Sequence, residues 1–542
     1  MVRVIVASAL GTAFEWYDFF VFGALSPIIA KNFFTALDPS AGLLAALGLF
    51  GAGFFFRPIG ALIFGRVGDQ VGRKGAFVIT VTMMGAATVA IGLLPTYAQV
   101  GGWAPILLIA MRCIQGTALG GEYGGAAIYV AEHAAPERRG FATSWVQASA
   151  ALGLVGALVA VYVARTSLGE ARFAASDWLA GWRAPFLVSA CLLAISIWMR
   201  LKLSESPAFA AMKETEGQES APYAEAFGRW PNLRLVLVAL VTLMSAQGAV
   251  WYTVFFYAEQ VFLEHLMKLS PLTGTGLLLA ITVSSAPLYI LFAWLSDIVG
   301  RRKVAWCGMT LALVAFFPGF HALAHFANPA LEAAQSRTPV VIVADPSRCS
   351  LQFDITGKAR FTTSCDIAKA LLSNAGVSYR NQPSPPGALA LIRIGATEIP
   401  AFEGAGLSSA ALKSADEGLK TKVAHALEAA RYPTTAAPSD VNVLGLYGVM
   451  MIFVIAATAL FGPIAATLVE LFPMRIRYTA MSLPYHVGTG WVGGFVPVSA
   501  FAIVTATGDI YAGLWYPVIF TALSVLTLPF LLPETRGRSA VG

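Results

Sequence analysis

An all-α membrane protein is the fold class this sequence predicts: twelve spans in two six-helix halves, with a small α/β domain between spans nine and ten. Three observations carry that expectation. The chain has 542 residues, 57% hydrophobic and 12% charged, where soluble domains carry roughly 25% charged residues, and its mean hydropathy is +0.69. Apolar runs of about 20 residues, long enough to cross a bilayer, recur along the chain. Landmarks of the first half return in the second.

The runs fall at 4–30, 41–65, 76–95, 104–131, 141–165, 183–203, 234–262, 274–296, 304–325, 442–469, 479–504 and 512–532. The first has no small-residue cleavage site after a short core, so it reads as a span and not as a signal peptide. The expected organisation is a six-helix half at 1–203, a polar linker at 204–233, helices 7–9 at 234–325, an insert of soluble composition at 326–441, and helices 10–12 at 442–542.

Basic residues set the orientation, because cytoplasmic loops collect lysine and arginine. One set of short loops holds Arg66, Arg73, Lys74, Arg138, Arg139, Arg301, Arg302, Lys303, Arg475 and Arg477. The opposite set holds only Lys31, Arg165, Arg172, Arg183 and Lys268. The first set is expected to be cytoplasmic, with both termini and the linker. The insert then faces the periplasm, and the chain is a multi-pass protein of the inner membrane. The net charge of +6 is modest, and no basic, aromatic-interleaved patch suited to nucleic acid appears. No metal cluster or nucleophile triad stands out. His321 and His325 are four apart but lack the glutamate of a helical zinc site. The expectation is a protein that is not an enzyme, uses no cofactor and acts as a monomer on a small molecule and protons.

The repeat supports two related halves. "GDQVGRK" (68–74) is echoed by "SDIVGRRK" (296–303), so Asp69 matches Asp297. "EHAAPERRG" from Glu132 matches "ELFPMRIR" from Glu470, and "SESPAF" with Glu205 matches "LPETRG" with Glu534. The offset between matched residues grows after the first pair, by about the length of the insert. Two similar halves around a midplane site is a transporter plan.

These stretches resemble a known family. "GRVGDQVGRK" and "RCIQGTALGG" (112–121) are similar to signatures of the major facilitator superfamily. "GTAFEWYDFF" (11–20), "QGTALGGEYGGAAIYVAEHAAPERRG" (115–140), "LSESPAF" and "PETRG" resemble its metabolite:proton symporter branch, which includes carriers of α-ketoglutarate, citrate, shikimate and proline/betaine. The resemblance implies a proton-coupled symporter importing a small organic acid or zwitterion by alternating access. It also implies a gate in the repeated loops: Gly65, Asp69, Gly72, Arg73 and Lys74, with Asp297, Gly300, Arg301 and Arg302 as the second copy. The insert departs from the branch pattern, where this loop is short.

Buried charge points to the chemistry. Glu15 and Asp18 are three apart, on one helix face, in the middle of a span where each charge costs about 2.5–3.5 kcal/mol. With Arg112 and Glu122 they are expected to face a central cavity and to exchange partners. A carboxylate leaving an arginine changes its proton affinity. Arg57 reads as nearer the cytoplasmic end and structural. In the second half "VWYTVFFYAEQ" (250–260) offers Tyr252 and Tyr257 as cavity-lining hydrogen-bonders, and "PYHVGTGW" offers His486. Gly116, Gly120 and Gly124 form a stripe where helices approach closely.

In the insert, 339–345 and 388–395 read as strands, and "DIAKALLSNAG" and "DEGLKTKVAHALEAARY" as helices. Cys349 and Cys365 are expected to form a disulfide in an oxidising periplasm. Two other readings remain open: a sugar/proton porter, and a nutrient sensor that binds ligand on its insert without transport.

Overall fold

The computed structural model describes residues 1–34, 39–202, 205–206, 209, 221–352 and 362–538. Most of the expected linker, including Ser204, Pro207 and Ala208 of the "SESPAF" stretch, lies outside the described residues. The first half contains α1 (Val2–Ala24), α2 (Pro39–Gln70), α3 (Arg73–Leu93), α4 (Trp103–His133), α5 (Pro136–Leu168) and α6 (Arg183–Leu201). The second begins with α7 (Trp230–Leu266), α8 (Pro271–Val299) and α9 (Arg301–Ala327). In the insert a short helix, Pro329–Arg337, is followed by α10 (Ser364–Asn374) and α11 (Ser409–Ala429). The bundle resumes with α12 (Val443–Leu471), α13 (Met474–Thr507) and α14 (Ala512–Leu531). Among the described residues, 11 helices are long and apolar enough to cross a membrane. The expected second span falls in α2, whose side chains before Gly53 lie outside the described residues.

The two halves meet along two helix pairs, α5 on α8 and α2 on α13. Small residues allow close approach. A methyl added at Gly116 would stand 2.3 Å from the Gly53 carbonyl oxygen, and one at Gly120 would stand 2.2 Å from that of Arg57. At Gly124 it would meet Ser482 of the other half at 2.6 Å. One end of the bundle carries the basic loops; the other carries the insert.

The insert sheet has the order β2-β1-β3-β4, with β1 (Val340–Ala344), β2 (Tyr379–Pro383), β3 (Leu391–Ile394) and β4 (Thr397–Pro400). β1 and β2 are parallel, and the other two pairs are antiparallel. Alternation sets its apolar face: Val340, Ile342, Ala344, Ile392, Ile394 and Ile399 are buried. α10 lies against β1 and α11 against β4. Thr363 and Ser408 cap these helices with side-chain oxygens. β2 and β4 went unread in the sequence because "YRNQP" and "TEIP" are polar, largely exposed edges.

The insert is seated on the second half. Lys268 Nζ donates to the Pro433 carbonyl at 3.1 Å, and Asn328 Nδ2 to that of Met267 at 3.0 Å. Asn381 Nδ2 donates to the Thr507 carbonyl at 2.7 Å, and the Gly508 carbonyl accepts from Tyr379 N at 3.0 Å. Cys349 and Cys365 are joined by a disulfide across 16 residues, with Cα atoms 5.3 Å apart. Replacing both by serine should destabilise the insert by about 3 kcal/mol in the loop-entropy account. Faster amide exchange in α10, with the bundle helices unchanged, is the expected readout; unchanged exchange would show that the sheet alone holds the domain.

Candidate functional site

At the basic end the repeated loops lock the halves together with approximate two-fold symmetry. Asp69 of the first half accepts from the backbone N–H groups of Tyr478 (3.1 Å) and Thr479 (2.8 Å) in α13. Asp297 of the second half accepts from Gly140 (2.9 Å) and Phe141 (2.7 Å) in α5. Each carboxylate thus sits on the N-terminal turn of a helix from the opposite half, where orphan N–H groups and the helix dipole favour an anion. An arginine on its own half holds each one: Arg73 to Asp69 at 2.6 Å, and Arg301 to Asp297 at 2.5 Å.

Crossed ion pairs complete the pattern. Arg477 reaches Glu132 at 2.8 Å, and Arg139 reaches Glu470 at 3.8 Å, each pair spanning the halves. Arg301 also pairs with Glu470 at 3.1 Å. Gly72 and Gly300 take φ of 133° and 110°, a region open mainly to glycine. The N–H groups just after them point at carboxylates: Lys74 N at Glu205 (3.3 Å), and Arg301 N and Arg302 N at Glu534 (2.9 and 3.2 Å). Gly65 is a contact point, since a methyl there would come within 2.9 Å of Thr479 Cα.

Halfway up the bundle the contact between halves becomes aromatic. Trp16 of α1 meets Trp251 of α7 at 5.8 Å between ring centroids, and Phe54 meets Tyr252 at 5.2 Å. Tyr123 stacks on Tyr485 at 3.8 Å and receives a hydrogen bond from Gln147 Nε2 at 3.3 Å. Trp251 Nε1 donates to Tyr289 OH at 2.8 Å. His486 is buried beside this layer, and neither ring nitrogen is hydrogen-bonded among the described residues. α7 and α13 both widen to π-type winding here, at Thr253–Leu266 and Val487–Gly493.

Two guanidiniums bracket one ring of this layer. Arg57 lies 5.5 Å and Arg112 lies 5.7 Å from the centroid of Phe19. Arg57 Nη1 also reaches Tyr252 OH across the seam at 3.5 Å, and its Nε has no partner among the described residues. Arg57 is therefore a mid-bundle group at the junction of the halves, which corrects its reading as a residue near the basic end. Arg112 donates to Gln115 Oε1 at 2.8 Å, and Gln115 Nε2 donates to Thr88 Oγ1 at 2.7 Å.

Asp18 accepts from Ser189 Oγ at 2.5 Å and lies beside Thr88, whose own hydroxyl donates to the Met84 carbonyl at 2.9 Å. The hydrogen-bonded chain Arg112–Gln115–Thr88, ending beside Asp18, therefore stands where a direct pairing of Arg112 with the α1 acids was expected. Glu15 neighbours Glu122, Arg57 and Arg200, and Arg200 Nη2 holds Glu122 at 3.1 Å. Glu15, Asp18, Glu122 and Ser196 share a cavity of about 10 Å³, room for about one water.

The acids share one face of α1, and the orientation of Asp18 is a correction: it turns toward α3 and α6, inside the first half. Glu15 stands among Glu122, Arg57 and Arg200. Trp16, on the opposite face, meets the second half. Burial explains the choice: the charges need the donors of their own bundle, and the rings need apolar surface. Tyr257 is a second correction. Its ring lies 5.9 Å from Phe320 of α9, so it is packed within the second half and away from the seam.

Known proteins resemble this chain over much of its length. The model of the "Sugar (and other) transporter" family matches residues 4–221, 210–344 and 424–541. The shikimate transporter of Escherichia coli K12 is 35% identical over 328 residues, covering 59% of this chain and 72% of that one. The chain belongs to the sugar (and other) transporter family of the major facilitator superfamily. The proline/betaine transporter of Salmonella typhimurium is 34% identical over 59% of this chain and 64% of its own length. The alpha-ketoglutarate permease of E. coli K12 is 33% identical over 60% and 72%. These relatives put the chain in the metabolite:proton symporter branch. Among solved structures, the proton:xylose symporter XylE bound to 6-bromo-6-deoxy-D-glucose superposes with a TM-score of 0.60 at 16% identity, over 99% of this chain and 97% of that one. That likeness shows the fold.

A major facilitator protein is a multi-pass transporter and not an enzyme. Some of its buried groups escaped the sequence reading. Arg200, near the end of the apolar run 183–203, is 1% exposed. The signal was available: Gly11, four residues before Glu15, leaves the space Arg200 fills, and a methyl there would lie 2.2 Å from its Nη2. Glu132, Glu470, Arg139 and Arg477 appeared only as repeat landmarks or topology signals.

Asp297→Asn should loosen the basic end. It removes the charge from two backbone hydrogen bonds and one ion pair, and hydrogen bonds to charged groups contribute about 1.5–3 kcal/mol each. Spin labels on α5 and α8 should then report a population with the basic end open. A distance distribution unchanged from the parent would refute the latch.

Proposed function

We propose that this transporter is a proton-coupled symporter that imports a small organic acid or zwitterionic metabolite across the inner membrane. Twelve spans in two six-helix halves would rock about the seam, with both termini and the linker cytoplasmic and the residue 326–441 domain periplasmic. The transporter works as a monomer without a cofactor, and the proton gradient supplies direction.

The observation that carries this reading is the pair of guanidiniums, Arg57 and Arg112, around Phe19 at the seam between the halves. Two buried guanidiniums near one ring make a positive region that favours an anion, and a planar carboxylate fits a guanidinium fork. Tyr252 and His486, both at this level, are the second half's contacts to the same ligand. A carboxylate that engages Arg112 competes with Gln115 and so disturbs Thr88, the neighbour of Asp18. Glu15 and Glu122, around space for one water, offer the next stop for a proton. Asp69, Arg73, Asp297 and Arg301, with Gly65, Gly72, Lys74, Gly300 and Arg302 shaping their loops, form the gate that breaks when the cytoplasmic side opens. Relatives that carry shikimate and proline/betaine by name, at 34–35% identity, favour this reading over a sugar porter.

Uptake into proteoliposomes tests it, with an imposed inward proton gradient, labelled carboxylates, betaines and sugars, and a protonophore control. Protonophore-sensitive accumulation of a carboxylate or betaine is expected. Accumulation of a sugar alone would favour the porter reading. Flux indifferent to the gradient would remove the coupling role, and ligand binding without flux would favour a sensor.

A further inference from the structure

The insert contains a cavity that transport does not use. It holds about 460 Å³, within the range of small-ligand pockets. It opens at the carboxyl ends of the parallel strands, lined by Ala344 of β1 and Pro383 of β2, and closes against Ala506 at the end of α13. The carboxyl end of a parallel strand pair is where α/β sheets place their ligands. The remaining walls include Cys349 and Lys369. The disulfide therefore borders a cleft.

The two sulfurs are not equivalent. Cys349 is half-buried in the cavity wall, whereas Cys365 is 2% exposed. Cys365 is the second residue of α10, behind the Thr363 cap. A thiolate released there meets the positive end of the helix. Lys369, four residues on, shares that helix face; it is 7% exposed and its Nζ donates to the Ala506 carbonyl at 2.8 Å. The neighbouring Asp366 carboxylate is occupied by Ser350, through N and Oγ at 2.8 Å each. Because Ser350 follows Cys349, this clamp holds the cysteines close when their bond is open.

We propose that Cys349–Cys365 is a thiol–disulfide exchange site that takes a cysteine-bearing peptide segment in this cleft. The incoming thiolate bonds to Cys349 Sγ, the Cys349–Cys365 bond breaks, and its electron pair leaves on Cys365 Sγ. A second thiolate of the same substrate then attacks the mixed disulfide and frees Cys349. The substrate dithiol loses two electrons and two protons and becomes a disulfide, and the insert becomes a dithiol. A disulfide-bearing protein oxidant would regenerate it by the reverse exchange. β2, with Arg380 to Pro383 exposed, is the edge along which an extended segment would lie.

The test uses the full-length protein with Cys113, Cys191 and Cys307 replaced by serine, oxidised, and mixed near neutral pH with a single-cysteine hexapeptide. Acid quenching and peptide mapping then locate the adduct. Exchange should fall on Cys349 and run at least about tenfold faster than the same peptide with oxidised glutathione, because a stabilised leaving thiolate departs faster. Lys369→Gln should slow it about threefold by weakening that stabilisation. Adducts shared between both cysteines would overturn the proposal, as would a rate no greater than the reference or the same rate in urea-unfolded chain; the disulfide would then be structural. No uptake is measured, so the outcome is independent of the transport reading.

Discussion

Arg200→Met should destabilise the first half by about 3–5 kcal/mol, the cost of breaking a buried ion pair from one side. The guanidinium is 1% exposed, pairs with Glu122 at 3.1 Å, and stacks 3.6 Å from the centroid of Phe77. Glu15 faces the same group. Methionine fills much of the volume but leaves the buried Glu122 carboxyl without its ion-pair partner. The double variant Arg200→Met/Glu122→Gln should recover most of the loss, since exchanging both partners of a buried pair is often nearly neutral. Thermal unfolding of detergent-purified protein, followed by tryptophan fluorescence, measures both. If the single variant unfolds like the parent, the pair is not what secures α4 to α6. If the double variant is as damaged as the single, the loss comes from packing against Phe77 and not from charge. Gly11→Val should lower stability in the same direction by about 1–3 kcal/mol, the usual range for overpacking, because its side chain would push Arg200 off Glu122.

Much of the architecture is legible in the sequence because its causes are local or repeated. Span lengths follow from the bilayer, and the matched Asp69 and Asp297 each cap a helix of the opposite half. Glu205 and Glu534, matched in the sequence, each sit under the turn after a positive-φ glycine. What stays hidden depends on which helix lies beside which. The spacing of Glu15 and Asp18 gives them a common face of α1, but nothing in "GTAFEWYDFF" says whether that face or the Trp16 face meets the second half. Tyr252 and Tyr257 look alike in the string and part company in space, one to the seam and one to Phe320. Arg200 is invisible as a buried group because a basic residue at the end of an apolar run is also how a span anchors at the membrane surface. In the insert, apolar strands and amphipathic helices were readable. The polar edge strand β2 was not, because its exposed side chains carry no alternation.

Asp18→Asn should abolish proton-driven accumulation while leaving substrate exchange nearly intact. Asparagine keeps the size of aspartate and can still accept from Ser189, which bonds Asp18 at 2.5 Å, but it cannot take up and release a proton. The chain Arg112–Gln115–Thr88 would still sense the ligand, with no titrating group beside its end. The initial rate under an inward proton gradient should fall about 100-fold, the scale of losing a positioned proton-transfer group. Counterflow between equal substrate pools, which needs no net proton movement, should stay within about threefold of the parent. That split separates coupling from binding, because a damaged binding site would reduce both. Glu15→Gln supplies the contrast, since Glu15 borders the same small cavity but belongs to the Glu122–Arg200 cluster. If Glu15→Gln uncouples and Asp18→Asn does not, the proton is carried on the cluster and Asp18 is a positioning group. If both variants still accumulate substrate under the gradient, the α1 acids serve only to hold the bundle.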